Sequence, residues 1–257
     1  MAHSTYYYHT SKQREDKYAD IRKRISEIFA MHGKRYGYRR VYQQLRNEGY
    51  TLNHKTVQRL MQEMSLKSQI RRVKYRSYRG EVGKTAPNIL NREFEASRPN
   101  QKWATDISYI PTKQGFLYLS IIRDLYDLSI VSYKMSTIQN NRLVMDTVRE
   151  ALKNEKVAAE LQLHSDQGFQ YTSREYYLLT KENGITPSMS RRGNPYDNAM
   201  AENFFSILKT ECTRRTKYAT FDDAREDIEA YIYFYNNERI QTSTKLTPLE
   251  LRCQFAA

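Results

Sequence analysis

The 257-residue sequence contains only two cysteines, Cys212 and Cys253, which lie far apart and have no paired histidines at metal-binding spacing. This excludes a zinc finger built from this chain alone and is typical of a protein in a reducing compartment. No apolar run approaches the roughly 20 residues that cross a bilayer. Residues 1–3 do not begin a hydrophobic region of the kind found in secretory signals. We therefore expect no membrane partner.

Acidic residues are scarce relative to basic ones. The 29 Asp and Glu residues face 42 Lys and Arg residues, which gives a net charge of +13 and a pI of about 9.6. A surplus of this size predicts a polyanionic partner. Hydrophobic residues make up 39% of the chain, which excludes a disordered basic tail. The length allows one large domain and a smaller one.

Residues 1–66 are predicted to form a small helical DNA-binding domain. An apolar stripe indicates a first helix over about 16–32, which Gly33 ends. A second helix ends at Gly49, and Asn53 caps a third. The last two helices resemble a helix-turn-helix, in which the third helix reads a major groove. The predicted inward residues of the third helix are Val57, Leu60, Met61 and Met64, and its predicted DNA contacts are Lys55, Gln58, Arg59 and Gln62. The alternative is a three-helix bundle whose polar face is solvated.

Residues 67–87 are predicted to be a basic linker. Between positions 67 and 84, seven Lys or Arg residues and one acidic residue, Glu81, give a local charge of +6. Tyrosines are interleaved, and Gly80 and Gly83 favour a flexible chain that follows a phosphate backbone. The predicted contacts are Arg71, Arg72, Lys74 and Arg76. A solvated run of charge is the alternative.

The following residues predict a mixed α/β sheet with helices on its faces. The predicted strands are 102–110, 116–123, 129–135, 160–166 and 185–189. The predicted helices are 140–154, 173–182 and, near the end of the chain, 221–238, whose apolar residues should pack on the sheet domain.

Three acidic residues stand at positions where we expect buried carboxylates. Asp106 lies on the first strand, Asp166 ends the fourth, and Glu202 lies on the helix after the fifth. Together they could bind a pair of divalent metal ions for in-line phosphoryl transfer, with Asp106 bridging both ions. Lys209 follows Glu202 by two helical turns and shares its helix face. Each residue taken alone could also be an ordinary turn former, helix cap, ion-pair member or solvated lysine.

Several long strings resemble the transposases of bacterial insertion-sequence family three, specifically their second-frame product. They are HSDQGFQY at 164–171, SMSRRGNPYDNA at 188–199, ENFF at 202–205, LKTE at 208–211, KWATDI at 102–107, YNNER at 235–239 and LTP at 246–248. The relatives of that family include the retroviral integrases. The resemblance therefore spans nearly the whole chain.

This resemblance implies a ribonuclease-H-like fold: a mixed five-stranded sheet flanked by helices over 88–215, followed by a helical extension over 216–257 packed on it. It implies a metal triad of Asp106, Asp166 and Glu202 with two Mg²⁺ ions, for which Mn²⁺ substitutes. The other residues implied to contact or shape DNA are Gln167, Tyr171, Arg191, Arg192, Asn194, Asn198 and Lys209. Tyr196 could contact DNA or brace the loop that delivers Glu202, and for Asp197 we favour the bracing role.

The resemblance also implies an activity and partners. Water cleaves a transposon end to leave a 3′-hydroxyl, which attacks a target phosphodiester without a covalent protein–DNA intermediate. Holding two ends implies a homo-oligomer on DNA, in a bacterial cytoplasm beside the nucleoid. Full family enzymes carry an upstream helix-turn-helix and leucine zipper, and residues 4–9 resemble the middle of that fusion, so we expect the first-frame product as a further partner. The alternatives are a non-catalytic DNA-binding regulator of the element and a metal-dependent nuclease that joins no strands.

We predict that replacing Arg71, Arg72 and Lys74 by Ala weakens DNA binding on every sequence and flattens its dependence on salt. The reason is that fewer phosphates are neutralised, so binding releases fewer counterions from the DNA. Titrations of labelled duplexes at several salt concentrations measure this. An unchanged salt slope would assign the stretch to solvated charge.

Overall fold

The computed structural model describes residues 16–68, 85–157, 160–191, 194 and 196–256. The chain divides into two compact units, Met1–Ile70 and Arg71–Ala257. The predicted domain limits at residues 66, 87 and 215 are finer than this division and stay predictions. Among the described residues, no helix is both long enough and apolar enough to span a bilayer.

The first unit contains the three predicted helices, α1 (Ala19–Met31), α2 (Tyr38–Asn47) and α3 (His54–Glu63). Gly33 and Gly49 follow α1 and α2 with φ angles of +57° and +90°, a conformation that glycine adopts without steric cost. The Asn53 side chain accepts the Lys55 N–H at 2.8 Å, as predicted for an N-cap.

The core of the first unit is formed by the apolar stripes of these helices. Ile25, Ile28 and Phe29 of α1 are buried, together with Val57, Leu60 and Met61 of α3. Met64 was predicted to face inward but is only half-buried, because it lies one residue beyond the end of α3.

The second unit contains a five-stranded mixed sheet, which confirms the predicted fold class. Its strands are β1 (Lys102–Thr112), β2 (Gly115–Asp124), β3 (Ile130–Ser136), β4 (Gln162–Ser165) and β5 (Thr186–Met189). The spatial order is β3-β2-β1-β4-β5. The pairs β3-β2 and β2-β1 are antiparallel, while β1-β4 and β4-β5 are parallel.

Helices cover both faces of this sheet. They are α4 (Asn141–Asn154), α5 (Arg174–Glu182), α6 (Ala199–Leu208), α7 (Phe221–Asn237) and α8 (Pro248–Ala256). Apolar side chains of α4 and α5 pack with Trp103 and Leu163 in one cluster. Ala201 of α6 packs in another cluster with Ala104. Neighbouring residues of a strand face opposite sides, so the two clusters lie on opposite faces of the sheet.

The C-terminal helices pack on the sheet domain. The four residues of α7 predicted to face inward, Ile228, Tyr231, Ile232 and Tyr235, are all buried. The Asn236 amide accepts the Ile130 N–H and donates to the Ile130 carbonyl, both at 2.9 Å, and so pairs with the edge strand β3. The Arg252 guanidinium of α8 binds the carboxylates of Asp127 and Glu155, both at 2.6 Å, and of Asp124 at 3.2 Å.

We predict that Arg252→Ala lowers the free energy of unfolding by about 3–5 kcal/mol, because it leaves the fully buried Asp124 and Asp127 carboxylates without their cation. Urea unfolding at neutral pH measures the loss. The control is Arg142→Ala, since the Arg142 side chain is 86% exposed and its pair with Asp146 should contribute less than about 0.5 kcal/mol. Equal losses in the two variants would contradict the structural role of Arg252.

Candidate active site

Asp106 and Asp166 are aligned by the pairing of two parallel strands. The β1–β4 register ends with Ala104 opposite His164. Each aspartate lies two residues beyond that pair, so the two occupy equivalent positions on the same face of the sheet. Asp106 itself stays within β1, held by its pairing with Ile121 of β2. The two carboxylates therefore meet where β4 ends and β1 continues.

Both carboxylates are half-buried, and their electrostatics reflect this. Burial raises the pKa of Asp106, and the nearby negative charge of Asp166 raises it further. Burial also raises the pKa of Asp166. Backbone N–H groups oppose these shifts: that of Ile107 donates to Asp106 and that of Gly168 to Asp166, both at 2.8 Å. A Cβ at Gly168 would lie 2.9 Å from Asp166 Oδ1, so a side chain there would displace the carboxylate.

Glu202 reaches the pair from α6. Ala201, the residue before it, belongs to the same buried cluster as Ala104, which lies on the same strand face as Asp106. The negative charge of Glu202 contributes to the raised pKa of Asp106. The expectation that all three carboxylates are buried is wrong for Glu202, which is exposed. The reason is that α6 turns Ala201, Phe204, Phe205 and Leu208 toward the core, and Glu202 lies outside that face.

Lys209 lies at the start of a π-helical turn, Lys209–Thr213, that continues α6. In this turn the Arg214 N–H donates to the Lys209 carbonyl at 3.1 Å. The Lys209 ammonium lies 5.4 Å from the centre of the Tyr109 ring. Its positive charge lowers the pKa of Asp106, which places it beside the carboxylates. Single π-helical turns recur at functional sites.

The loop before α6 is braced by Asp197, as predicted. Its carboxylate is fully buried and accepts bonds from the Arg191 and Arg92 guanidinium groups, each at 2.9 Å. It also accepts from the Asn88 amide at 3.0 Å and from the Arg191 N–H at 3.1 Å. Hydrogen bonds from Arg191, then from Arg92, hold the pKa of Asp197 well below its usual range.

Arg123 supports α6 from inside the protein, a role that the sequence analysis missed. Its guanidinium is buried and donates to the Met200 carbonyl at 2.6 Å and to the Tyr235 hydroxyl at 2.8 Å. It therefore connects the first turn of α6 to α7. The sequence feature that could have indicated this role is a single arginine near the end of the apolar strand sequence FLYLSIIRD, at 116–124.

The remaining predicted residues of the second unit differ in exposure. The Tyr171 ring is buried, and its hydroxyl lies 3.3 Å from Thr105 Oγ1. The Gln167 amide donates to the Ser190 carbonyl at 3.0 Å. Asn194 is half-buried, Asn198 is buried, and Arg191 is exposed but bound to Asp197. Arg192 lies outside the described residues, and DNA contacts by the other residues stay predictions.

In the first unit, α3 presents the predicted polar face. Lys55, Arg59 and Gln62 are exposed, and Gln58 is half-buried. Arg59 pairs with Glu63 at 3.0 Å, one helical turn further on. The linker residues Arg71, Arg72, Lys74 and Arg76 lie outside the described residues.

The donor chemistry of the carboxylate cluster fits a hard divalent cation. Asp106 and Asp166 supply carboxylate oxygens at aligned positions, and a cation between them would relieve the repulsion that raises the pKa of Asp106. Within the described ranges, no three His, Cys, Asp or Glu side chains already form a single-ion cluster. A site for two ions needs only two of these carboxylates at each ion.

Comparisons with known proteins identify the domains of the chain. The integrase core domain family matches residues 96–195, a second integrase core domain family matches 202–255, and an HTH-like domain family matches 15–74. A chain of the simian T-cell lymphotropic virus intasome has a similar fold, with a TM-score of 0.54 and 14% identity over 89% of this chain and 74% of that one. The fold and the family match together define a DDE-type polynucleotidyl transferase with an integrase core.

The curated relatives narrow this class. InsK of insertion sequence element IS150 from Escherichia coli (strain K12) is 46% identical over 253 residues, which are 98% of this chain and 89% of InsK. The transposase for IS904 from Lactococcus lactis is 38% identical, covering 86% of this chain and 88% of the relative. InsF for IS3A from Escherichia coli is 35% identical, covering 81% and 73%. The chain belongs to the transposases of insertion-sequence family three.

We predict that Asp197→Asn lowers the free energy of unfolding at neutral pH by about 2–3 kcal/mol, because both arginines lose a buried anionic partner. The pKa of Asp197 is depressed in the folded state, so its stabilisation is present above its unfolded pKa of about 4 and is lost as pH falls below it. The difference in the free energy of unfolding between Asp197→Asn and the wild type should therefore become smaller in acid. Urea unfolding at several pH values measures it. Asp222→Asn, at a side chain that is 81% exposed, is the control.

Proposed function

We propose that the protein cleaves DNA at the ends of its insertion sequence and joins the resulting strand ends to target DNA. The observation that supports this most strongly is the alignment of Asp106 and Asp166 beyond the last β1–β4 pair, with the charge of Glu202 beside them. A DNA-binding protein without catalysis would gain no stability from gathering carboxylates that repel one another.

Two divalent ions, Mg²⁺ with Mn²⁺ as a substitute, are part of this proposal. Asp106 would hold both ions, and Asp166 and Glu202 would each complete one. When bound, such ions supply charge stabilisation at the attacking and leaving oxygens of an in-line displacement. The protein's own contribution is to hold the three carboxylates on rigid elements.

The proposed reaction has two displacements at phosphorus. In the first, a water oxygen bonds to phosphorus and the bond from phosphorus to the 3′-oxygen breaks, which leaves a 3′-hydroxyl and a 5′-phosphate. In the second, that 3′-oxygen attacks a target phosphodiester and displaces another 3′-oxygen. The Lys209 ammonium, beside the carboxylates, binds the phosphate and offsets its charge.

DNA binding is divided between the parts of the chain. The exposed polar face of α3, with Lys55, Arg59, Gln62 and the half-buried Gln58, would enter a major groove. The basic linker would follow the phosphate backbone. Two transposon ends must be held together for joining, so we infer a homo-oligomer on DNA. The first-frame product of the element is a further proposed partner.

We predict that Asp166→Asn and Glu202→Gln each reduce metal-dependent cleavage of DNA carrying the element's ends by about 100-fold or more, while the Kd for that DNA changes little. Labelled terminal duplexes incubated in Mg²⁺ and in Mn²⁺ measure cleavage and joining, and titration in EDTA measures binding. The control is Glu160→Gln, since Glu160 is 82% exposed and pairs only loosely with Arg98 at 3.3 Å.

The products distinguish the proposed activity from its alternatives. Joined strands from wild type and Glu160→Gln, but not from the two site variants, would support a transposase with this triad. Nicks without joining, also from the chain fused to the proposed first-frame product, would identify a nuclease. Binding without any metal-dependent product would identify a regulator. Equal loss of binding and cleavage in Asp166→Asn would contradict its role as a metal ligand.

A further inference from the structure

Two aromatic side chains lie exposed near the carboxylate cluster and have no role in the core. Tyr109 of β1 is 57% exposed and Phe116 of β2 is 51% exposed. Their rings meet edge to face, with centroids 5.2 Å apart and an interplanar angle of 73°. Their strand neighbours Ile110 and Leu117 are buried and already fill the core at this point. The exposed rings thus form a surface, the Tyr109–Phe116 pair.

The hairpin that carries this pair is anchored to the chain that follows the π-helical turn. The Lys113 N–H donates to the Tyr218 carbonyl at 3.1 Å, and the Phe221 N–H donates to the Gln114 side-chain oxygen at 2.9 Å. These bonds fix the tip of the β1–β2 hairpin. A binding surface on fixed strands loses little entropy when a ligand stacks on it.

The charge around the pair favours nucleic acid as its ligand. The Lys209 ammonium lies over the Tyr109 ring and acts on the Asp106 carboxylate. Lys113, Arg214 and Lys217 are exposed on the adjoining hairpin tip and on the segment after α6. An apolar protein surface would have to desolvate these cations, whereas a nucleotide offers a phosphate for them and a flat base for the rings.

We propose that the Tyr109–Phe116 pair is a stacking site for an unpaired nucleobase close to the cleaved phosphate. Tyr109 lies three residues along β1 from Asp106, about 10 Å along the strand and on its other face. The Lys209 ammonium is within reach of both side chains, and a DNA strand would need at least about three nucleotide steps to pass from one to the other. This inference rests on the proposed function, because it assumes that a DNA end occupies the carboxylate cluster. Stacking would hold the end in position after its last base pairs open.

The test uses two DNA probes with the element's terminal sequence. One is fully paired, and the other ends in a three-nucleotide single-stranded extension that carries 2-aminopurine. In EDTA, the wild-type protein should quench the 2-aminopurine fluorescence on binding. Tyr109→Ala and Phe116→Ala should lose the quenching and bind the extended probe about tenfold more weakly, with little change for the paired probe. Tyr109→Phe should retain both effects, since it keeps the ring.

The matched control is Tyr233→Ala, which removes a tyrosine that is 64% exposed on α7 and should keep the quenching. Unchanged quenching in both Tyr109→Ala and Phe116→Ala, or equal weakening on the two probes, would overturn the stacking site. The stacking site would also be overturned if these variants kept the quenching but differed from the wild type in their mass by sedimentation. That result would assign the pair to contacts between copies of the chain. Cleavage in Mg²⁺ is scored separately. Its absence in the wild type would contradict the proposed function, whereas a wild-type protein that cleaves but does not quench 2-aminopurine would contradict only this inference.

Discussion

The second unit holds the carboxylates of Asp106, Asp166 and Glu202 close together, although their like charges repel one another. Two of them are half-buried, where repulsion is screened less than in water. The sheet supplies the geometry. Because β4 pairs with only the first three residues of β1, the longer strand continues past its neighbour and leaves a gap at its open edge. Both aspartates lie at that gap.

Glu202 is held in place by the interactions that its helix, α6, and the segments on either side of α6 make with the rest of the second unit. Arg123 connects the first turn of α6 to Tyr235 of α7, and Asp197 connects the loop before α6 to Arg92 and Arg191. Beyond α6, Glu211 in the π-helical turn binds Arg239 at 2.7 Å and accepts the Tyr231 hydroxyl at 2.9 Å. Pairing buried ions costs desolvation, so these contacts contribute more to the placement of α6 than to overall stability.

Much of the fold was predictable because its elements are regular. Alternating apolar residues in β1 and β2 gave strand limits within two residues of those observed, and α4, α5 and α7 were within one. The candidate triad was proposed from local strings around each acidic residue, and its catalytic role stays a prediction. The exposure of Glu202 and the buried contacts of Arg123 were not predictable, because both depend on how α6 packs against β1 and α7. No periodicity within one segment records a contact between residues 77 positions apart.

The exposure of Glu202 follows from the same packing that brings it to the site. A helix must bury one face to be held, and α6 buries four apolar side chains, so the carboxylate next to Ala201 stands at the rim of the cluster. The two aspartates are fixed by the sheet, whereas Glu202 approaches from the side that is open to solvent. The Lys209 ammonium supplies positive charge near Asp106, while three carboxylates contribute negative charge. A cluster of this kind is suited to bind cations, because each added positive charge offsets repulsion already present in the folded protein.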